Sequence, residues 1–107
     1  MVTTFEVLAE PRRREILDLL RAGELPVGEL VERLSVTQPG VSKHLRVLRE
    51  AGLVEVRRDA QRRWYRLRAE PLAEVDAWLA PYRHLWKARL DDLERFLDAQ
   101  PDGEATS

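Results

Sequence analysis

Apolar residues between Thr37 and Gly52 recur with the spacing of an α-helix. Val41, Leu45 and Leu48 stand at i, i+4 and i+7 and therefore share one stripe of a helical surface. Thr37 is a favourable N-cap residue, and Gly52 stands where helices commonly end in a left-handed residue. The pattern predicts an amphipathic helix across this segment, with one side in a hydrophobic core.

A shorter segment with the same periodicity precedes this helix. Its apolar residues fall on one side of a helix over residues 27–34, and they are Val27, Leu30, Val31 and Leu34. Residues 35–37 alone separate the two predicted helices. Two helices joined by so short a turn are typical of the helix-turn-helix motif.

A β-hairpin is predicted directly after the long helix. Residues 53–58 and 62–68 are rich in Val, Trp, Tyr and Leu and nearly alternate, and residues 59–61 are the predicted turn. Trp64 and Tyr65 are neighbours on one strand and must point to opposite faces, so we expect Tyr65 to pack inward. A helix-turn-helix followed by a hairpin predicts a winged helix, mainly α with a small β-hairpin wing.

The first 23 residues predict two further helices. Thr3 and Glu6 match a capping box, which indicates a first helix over residues 4–9. Pro11 suits the first turn of a second helix, over residues 11–22, that ends at Gly23. The basic cluster at residues 12–14 is interpreted either as a solvated first turn or as a phosphate contact.

The segment 71–99 carries two apolar stripes separated by Pro81, which predicts two consecutive helices or one bent helix. A domain of this size has little core left to cover the second stripe, so it favours an isologous homodimer. The alternative is that the tryptophans complete the core of a monomer. The predicted dimer residues are Phe5, Trp78, Tyr82, Leu85, Trp86, Leu90, Leu93, Phe96 and Leu97.

Length and composition indicate one small domain over residues 1–99 with a polar, disordered tail at residues 100–107. The sequence has no cysteine, which removes disulfides, thiolate catalysis and thiolate metal sites and fits a reducing cytoplasm. The N-terminus lacks the pattern of a signal peptide, and no apolar run is long enough to span a membrane. We therefore expect a cytoplasmic protein.

The formal net charge of −1 conceals a strong separation of charge along the chain. Residues 1–34 carry −2, residues 35–68 carry +6 from 9 Lys/Arg and 3 Asp/Glu, and residues 69–107 carry −5. The positive charge is thus concentrated in the predicted second helix of the motif and the wing. A local basic surface of this kind predicts binding to a polyanion, whatever the total charge.

The polar side of residues 37–52 carries an amide, a hydroxyl and cations that donate to base edges and phosphates. Gln38 suits adenine, and Lys43 or Arg46 suits guanine. Gly40 either lets the backbone approach DNA or is a tolerated helical glycine, and His44 either packs, contacts phosphate or reads a base. The predicted DNA-binding residues are Gln38, Pro39, Gly40, Ser42, Lys43, His44, Arg46 and Arg49 on the helix and Arg57, Arg58, Arg62 and Arg63 on the wing.

These elements resemble the ArsR family of bacterial winged-helix repressors over roughly residues 4–98. The resemblance rests on residues 8–17, 27–30, 51–54 and 65–67 and above all on Gln-Pro-Gly-Val-Ser-Lys-His-Leu-Arg-Val-Leu at residues 38–48. It implies a homodimeric transcriptional repressor that binds an inverted-repeat operator in double-stranded DNA. A small-molecule effector of unknown identity would release it, and the apolar residues Trp78, Tyr82 and Trp86 are the candidate pocket.

The sequence differs from the metal-sensing members of the ArsR family at the positions of their metal ligands. The third-helix region, residues 25–30, has no cysteine, and His84 is the only histidine of the C-terminal segment. We therefore expect a metal-independent branch with no metal site and no cofactor. The alternatives are a metal-responsive repressor with an atypical site, in which His84 joins Asp91 or Glu94 of a partner subunit, and a winged-helix module that binds protein. No catalytic constellation is visible, so an enzyme is not expected.

Overall fold

The computed structural model describes residues 3–99 of the 107-residue chain, so the tail predicted at residues 100–107 lies outside the described residues. Within the described residues, five helices and three short strands follow one another. In order they are α1 (Thr4–Leu8), α2 (Pro11–Arg21), β1 (Leu25–Pro26), α3 (Val27–Leu34), α4 (Gln38–Glu50), β2 (Val54–Asp59), β3 (Arg62–Leu67) and α5 (Leu72–Asp98).

The first two helices begin at side-chain caps. Thr3 accepts a hydrogen bond from the backbone N–H of Glu6 at 3.1 Å, which confirms the predicted cap of α1. Pro11 occupies the first turn of α2, where its missing N–H costs no helical hydrogen bond. The predicted helices are therefore confirmed to within one residue at their ends.

The helix-turn-helix is confirmed, with α3 and α4 joined by residues 35–37. Ser35 ends α3 in the left-handed conformation, with φ of 54°. Thr37 then caps α4 by accepting a hydrogen bond from the backbone N–H of Gly40 at 3.3 Å. Gly52 follows α4 with φ of 77°, a conformation that favours glycine. Local chemistry at these three positions sets the turn and the length of α4.

The wing belongs to a three-stranded antiparallel sheet in the order β1-β3-β2, and the predicted hairpin of two strands was incomplete. β1 pairs Leu25 with Tyr65 and Pro26 with Trp64. A strand of two residues that includes a proline shows no alternation, so periodicity could not reveal it. The third strand attaches the wing to the segment that leads into α3.

The hairpin turn contains two residues rather than the predicted three. Asp59 pairs with Arg62, so only Ala60 and Gln61 stand outside the strands. Ala60 has φ of 56°, which is uncommon for a residue with a side chain. This turn fixes the register in which Val56 faces Tyr65.

A single hydrophobic core joins α1 to α4 with the sheet. Ile16, Leu30, Leu45 and Leu48 are fully buried, and the inward orientation predicted for Tyr65 is confirmed because that side chain is 7% exposed. The buried hydrophobic residues are Val7, Ile16, Leu17, Leu20, Leu30, Leu34, Val41, Leu45, Leu48, Leu53, Val54 and Tyr65. The buried side of α4 thus holds its polar side outward.

α5 is one continuous helix that contains Pro81, so the alternative of two consecutive helices is wrong. Proline removes a backbone donor and disturbs the preceding turn of a helix. Arg83 contacts an earlier part of the helix: its Nη2 donates to the backbone carbonyl of Asp76 at 3.2 Å, and its Nη1 lies 3.0 Å from the Asp76 carboxylate. By packing, the chain divides into one compact unit ending at Val75 and a second beginning at Asp76.

Candidate nucleic-acid interface

The exposed side of α4 presents the residues predicted to meet DNA. Val41, Leu45 and Leu48 are buried on the opposite side of the helix. The predicted contact residues that are exposed are Gln38, Pro39, Ser42, Lys43, Arg46 and Arg49. α4 thus has the two-sided construction that the periodicity predicted.

The cations of α4 are not neutralised within the protein. Lys43, Arg46 and Arg49 are exposed, and within residues 3–99 their side chains form no ion pair or hydrogen bond. Most other arginines in this part of the chain contact a carboxylate or a carbonyl. Arg12, for example, pairs with Glu15, and Arg33 pairs with Glu29. An exposed row of unpaired cations is suited to phosphate and base contacts.

The structure offers a reason for glycine at position 40 that neither sequence interpretation anticipated. A Cβ at this position would lie 3.1 Å from Val36 Cγ1 and 3.2 Å from Thr37 Oγ1. The residue is therefore small because it lies against the N-cap of α4. Close approach of the DNA backbone is not needed to explain it.

The register of the wing sorts its four arginines onto two faces. Arg57 stands opposite Trp64, and Arg58 stands opposite Arg63. Because successive residues of a strand point to opposite faces, Arg57 and Arg62 share the outer face with Trp64. Arg58 and Arg63 share the inner face, the face that carries the buried Tyr65 further along the strand. The sequence predicted all four as equivalent, but the structure separates them.

Arg58 and Arg63 form a pair of like charges directly across the two strands. Within residues 3–99 neither side chain has an ion pair or side-chain hydrogen bond, and both are exposed. Like charges directly opposite one another destabilise a strand pair. Such an arrangement is tolerated where an external anion neutralises it.

The outer face of the sheet carries several ion pairs. Arg57 binds Glu24 through Nη2–Oε1 at 2.5 Å and Nε–Oε2 at 3.3 Å, and it lies 3.6 Å from Asp59. Arg66 pairs with Glu55 across the strands. The guanidinium carbons of Arg57 and Arg62 each lie 5.8 Å from the centroid of the Trp64 ring. Arg57 therefore has partners inside the protein, unlike Arg58 and Arg63.

A groove of about 680 Å³ connects the polar side of α4 with the wing. Gln38 and Ser42 border it on one side, and Arg62 and Arg63 border it on the other. The start of α3 and the turn residue Gln61 complete its wall, and the full lining is Pro26, Val27, Gly28, Glu29, Glu32, Gln38, Ser42, Gln61, Arg62, Arg63 and Tyr65. The groove brings predicted residues from two elements onto one surface.

His44 is half-buried and already has a protein partner. Arg13 Nε donates to His44 Nδ1 at 3.4 Å, so this nitrogen is the unprotonated one. Burial, followed by the charge of Arg13, lowers the pKa of His44 below its ordinary 6.5. The contact joins α2 to α4, which supports the packing interpretation of His44.

The basic cluster of α2 links helices to one another and is not simply solvated. Arg12 Nη1 lies 3.4 Å from the backbone carbonyl of Leu34, and Arg14 Nη1 lies 2.6 Å from that of Leu8. Both carbonyls stand at helix C-termini, where no helical N–H is available. The sequence contains no pattern that indicates these contacts with the ends of other helices.

The residues predicted for dimerisation are exposed in the single chain. On α5, the side chains of Tyr82, Leu85, Trp86, Leu90, Leu93, Phe96, Leu97 and Trp78 are between 46 and 64% exposed. Trp78 and Tyr82 pack against each other with ring centroids 5.0 Å apart. Phe5, on α1, is 39% exposed. The choice between a dimer contact and completion of a monomer core stays a prediction.

Residues 3–99 contain neither a cluster of metal-binding side chains nor a helix able to span a membrane. No three His, Asp or Glu side chains come together there in a group that could hold a metal ion. Among the same residues, no helix combines the length and apolar character needed to cross a membrane.

Known proteins of similar sequence are transcriptional regulators. The profile of the family described as "Bacterial regulatory protein, arsR family" matches residues 10–56. The transcriptional repressor SdpR of Bacillus subtilis is 32% identical over 79 residues, which is 74% of this chain and 88% of that protein. The transcriptional activator HlyU of Vibrio cholerae is 44% identical over 66 residues, 62% of this chain and 61% of that protein.

A solved structure agrees with these sequence relatives. The crystal structure of a "Possible transcriptional regulator for arsenical resistance" is 39% identical to this chain and superposes with a TM-score of 0.69. The match covers 94% of this chain and all of that one. The winged-helix arrangement predicted from periodicity is thus the fold of its relatives.

Proposed function

The chain belongs to the ArsR family of bacterial regulatory proteins, and on that premise we propose that it acts as a homodimeric repressor at an inverted-repeat operator. It is a DNA-binding transcriptional regulator and not an enzyme. The dimer, the operator and repression are the parts that we propose. The observation that carries them is the groove that joins the polar side of α4, at Gln38 and Ser42, to Arg62 and Arg63 of the wing. The unpaired cations of α4 are exposed on the same helix.

α4 supplies the base contacts in this proposal. Its N-terminal half enters the major groove, where Gln38 pairs with adenine and Lys43 or Arg46 with guanine. Arg49 lies further along the helix and contacts phosphate. Because Pro39 and Gly40 form the first turn of α4, they bring its backbone near the DNA without providing a side-chain donor. His44 holds α4 against α2 through Arg13.

The wing supplies contacts to the backbone or the minor groove. Arg58 and Arg63 are the principal candidates, because a phosphate between them would relieve the repulsion of two like charges. Arg62 is a third candidate, because it borders the same groove as Arg63. The wing contacts fix the position of α4 along the duplex and make the affinity depend on salt.

The exposed apolar surface of α5, together with Phe5, supplies the dimer contact. Large exposed apolar patches on small proteins mark interaction sites, and a second copy presents the same surface. A two-fold dimer carries two copies of α4, and these would read half-sites about 10 bp apart. The relatives include a repressor, SdpR, and an activator, HlyU. We propose repression because this chain covers 88% of SdpR but only 61% of HlyU.

We place the chain in a metal-independent branch because it has no cysteine and therefore no thiolate ligand. A small-molecule effector acting near Trp78, Tyr82 and Trp86 stays a prediction, as does a cytoplasmic location. The alternative of a metal site built on His84 also stays a prediction. No observation favours a protein-binding module over DNA.

The test is selection of duplexes from a random library by the purified full-length chain at physiological salt. We expect enrichment of an inverted repeat. The variant Lys43→Ala/Arg46→Ala should bind that duplex about 30-fold or more weakly, since each base contact contributes about 1–3 kcal/mol. Arg21→Ala/Lys87→Ala is the matched control, because it removes one lysine and one arginine from exposed positions outside α4 and the wing.

The control variant should bind like the wild type. Two results would overturn the proposal: selection that enriches no sequence, or equal losses in the two double variants. In either case the unpaired cations of α4 would contribute only their charge. Enrichment of a single half-site without an inverted repeat would overturn the dimeric part alone.

A further inference from the structure

Glu24 and Arg57 form an ion pair that reaches across the whole sheet. Glu24 immediately precedes β1, Arg57 lies on β2, and β3 runs between those strands. Two N–H···O contacts, of 2.5 and 3.3 Å, join two nitrogens of the guanidinium to the two oxygens of the carboxylate. Two-point pairing of this kind is the most directional contact available to an arginine.

The path of the Arg57 side chain is also fixed by Trp64. Trp64 is the β3 residue directly opposite Arg57, and the guanidinium carbon lies 5.8 Å from its ring centroid. The hydrogen bond from Arg57 lowers the pKa of Glu24, and the same bond raises the pKa of Arg57. Both groups therefore stay charged at neutral pH, and the pair lies over the outer face of the sheet.

Backbone pairing between β1 and the wing is short, although Val54 and Tyr65 of the wing are buried in the core. β1 pairs with β3 over two residues only, and one of them is Pro26, which has no N–H to donate. β2, at the other edge of the sheet, has no backbone contact with β1. Two-stranded hairpins are marginally stable in isolation, so their orientation depends on such attachments.

We infer that Glu24 and Arg57 are positioning residues that hold the wing in the orientation required for DNA binding. The inference rests on the proposed function. Arg57 lies on the face opposite Arg58 and Arg63, and its charge is already compensated, so it contributes geometry and not a phosphate contact. Glu24 leads through β1 directly into α3, so the pair links the orientation of the wing to the helix-turn-helix.

The variant Glu24→Gln tests this inference because charge and positioning predict opposite results. If Glu24 merely places a negative charge near DNA, its removal should tighten binding and free Arg57 for a phosphate. If it positions the wing, its removal should weaken binding to the selected duplex by about 2- to 5-fold, the range of an exposed ion pair. The slope of log affinity against log salt should stay at the wild-type value.

Variants of two arginines separate positioning from phosphate contact. Arg57→Gln should weaken binding as much as Glu24→Gln and also leave the salt slope unchanged. Arg58→Gln should lower the slope by about one, because it removes a phosphate contact. The charge-exchanged variant Glu24→Arg/Arg57→Glu should restore binding toward the wild-type affinity, which a general loss of folding would not allow.

Three results would overturn the inference while leaving the proposed function intact. These are tighter binding by Glu24→Gln, a salt slope reduced by Arg57→Gln as much as by Arg58→Gln, and failure of the charge exchange to restore any binding. Failure of the proposed function is distinct, because the wild-type chain would then select no duplex and Lys43→Ala/Arg46→Ala would bind as well as its control.

Discussion

The two units of this chain use hydrophobic residues in opposite ways. In residues 3–75 the large aliphatic side chains of four helices and three strands are buried in one core. In the part of α5 from Asp76 to Asp98, no residue is buried, although it contains two tryptophans, a tyrosine, a phenylalanine and several leucines. Burial therefore follows from the presence of neighbouring elements and not from hydrophobicity alone.

The comparison explains how one short chain can serve two partners. The first unit satisfies its apolar surface internally and leaves polar and cationic groups on its exterior, where an anion binds. α5 exposes its apolar surface, and we propose that a second copy of the chain covers it.

Leu48→Ala is expected to give the largest loss of stability. Leu48 is fully buried on α4, and a buried leucine replaced by alanine loses about 2–5 kcal/mol because it leaves a cavity. The measurement is the free energy of unfolding from denaturant titration followed by circular dichroism. A loss of that size is a large share of the total stability of a chain of this length.

The matched control for this variant is Leu90→Ala, which removes the same atoms from a side chain that is 64% exposed. At protein concentrations where the chain is monomeric, it should change the free energy of unfolding by no more than about 0.5 kcal/mol. Equal losses in Leu48→Ala and Leu90→Ala would contradict the comparison, because the α5 stripe would then be part of a monomer core.

Leu90→Glu should break the proposed dimer while leaving each chain folded. A carboxylate in the centre of an apolar contact must lose its hydration without gaining a partner. We expect the dimer dissociation constant to rise at least about 30-fold, the size of effect found when a central interface residue is lost. Sedimentation equilibrium measures the constant, and circular dichroism checks that the helices persist.

Asp91→Asn provides the control for the dimer, since it changes the charge of the neighbouring residue outside the apolar stripe. It should leave the dissociation constant near the wild-type value. If the wild type sediments as a monomer at every concentration, or if Leu90→Glu remains a dimer, the apolar surface of α5 is not the dimer contact.

The helices could be predicted because their causes are local. α4 combines helical spacing of Val41, Leu45 and Leu48 with an N-cap at Thr37, and each signal lies within a few residues of its effect. β1 could not be predicted, since Leu25 and Pro26 become a strand only by pairing with β3. Pro81 shows the reverse case, because the local rule predicted a break or a bend, and α5 continues through the proline as one helix.

The residue types of the candidate site were predictable, but their pairing was not. With a three-residue turn over residues 59–61, Arg58 would face Arg62. The observed two-residue turn makes Arg58 face Arg63 and places Val56 beside the buried Tyr65. A shift of one residue moves side chains to the other face of a strand, so turn length decides which arginines are free. Nothing in the dipeptide Ala60-Gln61 indicates that length.

His44 gives the smallest expected effect and concerns a contact inside the first unit. Its pKa is lowered by burial and by Arg13, with Lys43 and Arg12 acting in the same direction and Glu10 acting against them. Well above pH 6.5 the imidazole is neutral in both the folded and the unfolded chain, so the contact with Arg13 is fully present. As the pH falls below that value, the unfolded chain binds a proton first, so the free energy of unfolding decreases until the folded chain is also protonated.

The measurement is denaturant unfolding between pH 7.5 and pH 5.5, a range chosen to stay above the titration of ordinary carboxylates, about 4. The wild type should lose stability over this range. His44→Gln should lose less, because glutamine can accept the hydrogen bond from Arg13 without titrating. His84→Gln, which removes the exposed histidine of α5, should retain the wild-type pH dependence. If the pH dependence disappears with His84 instead, acid acts on the second unit, and the coupling of α2 to α4 through His44 does not contribute to stability.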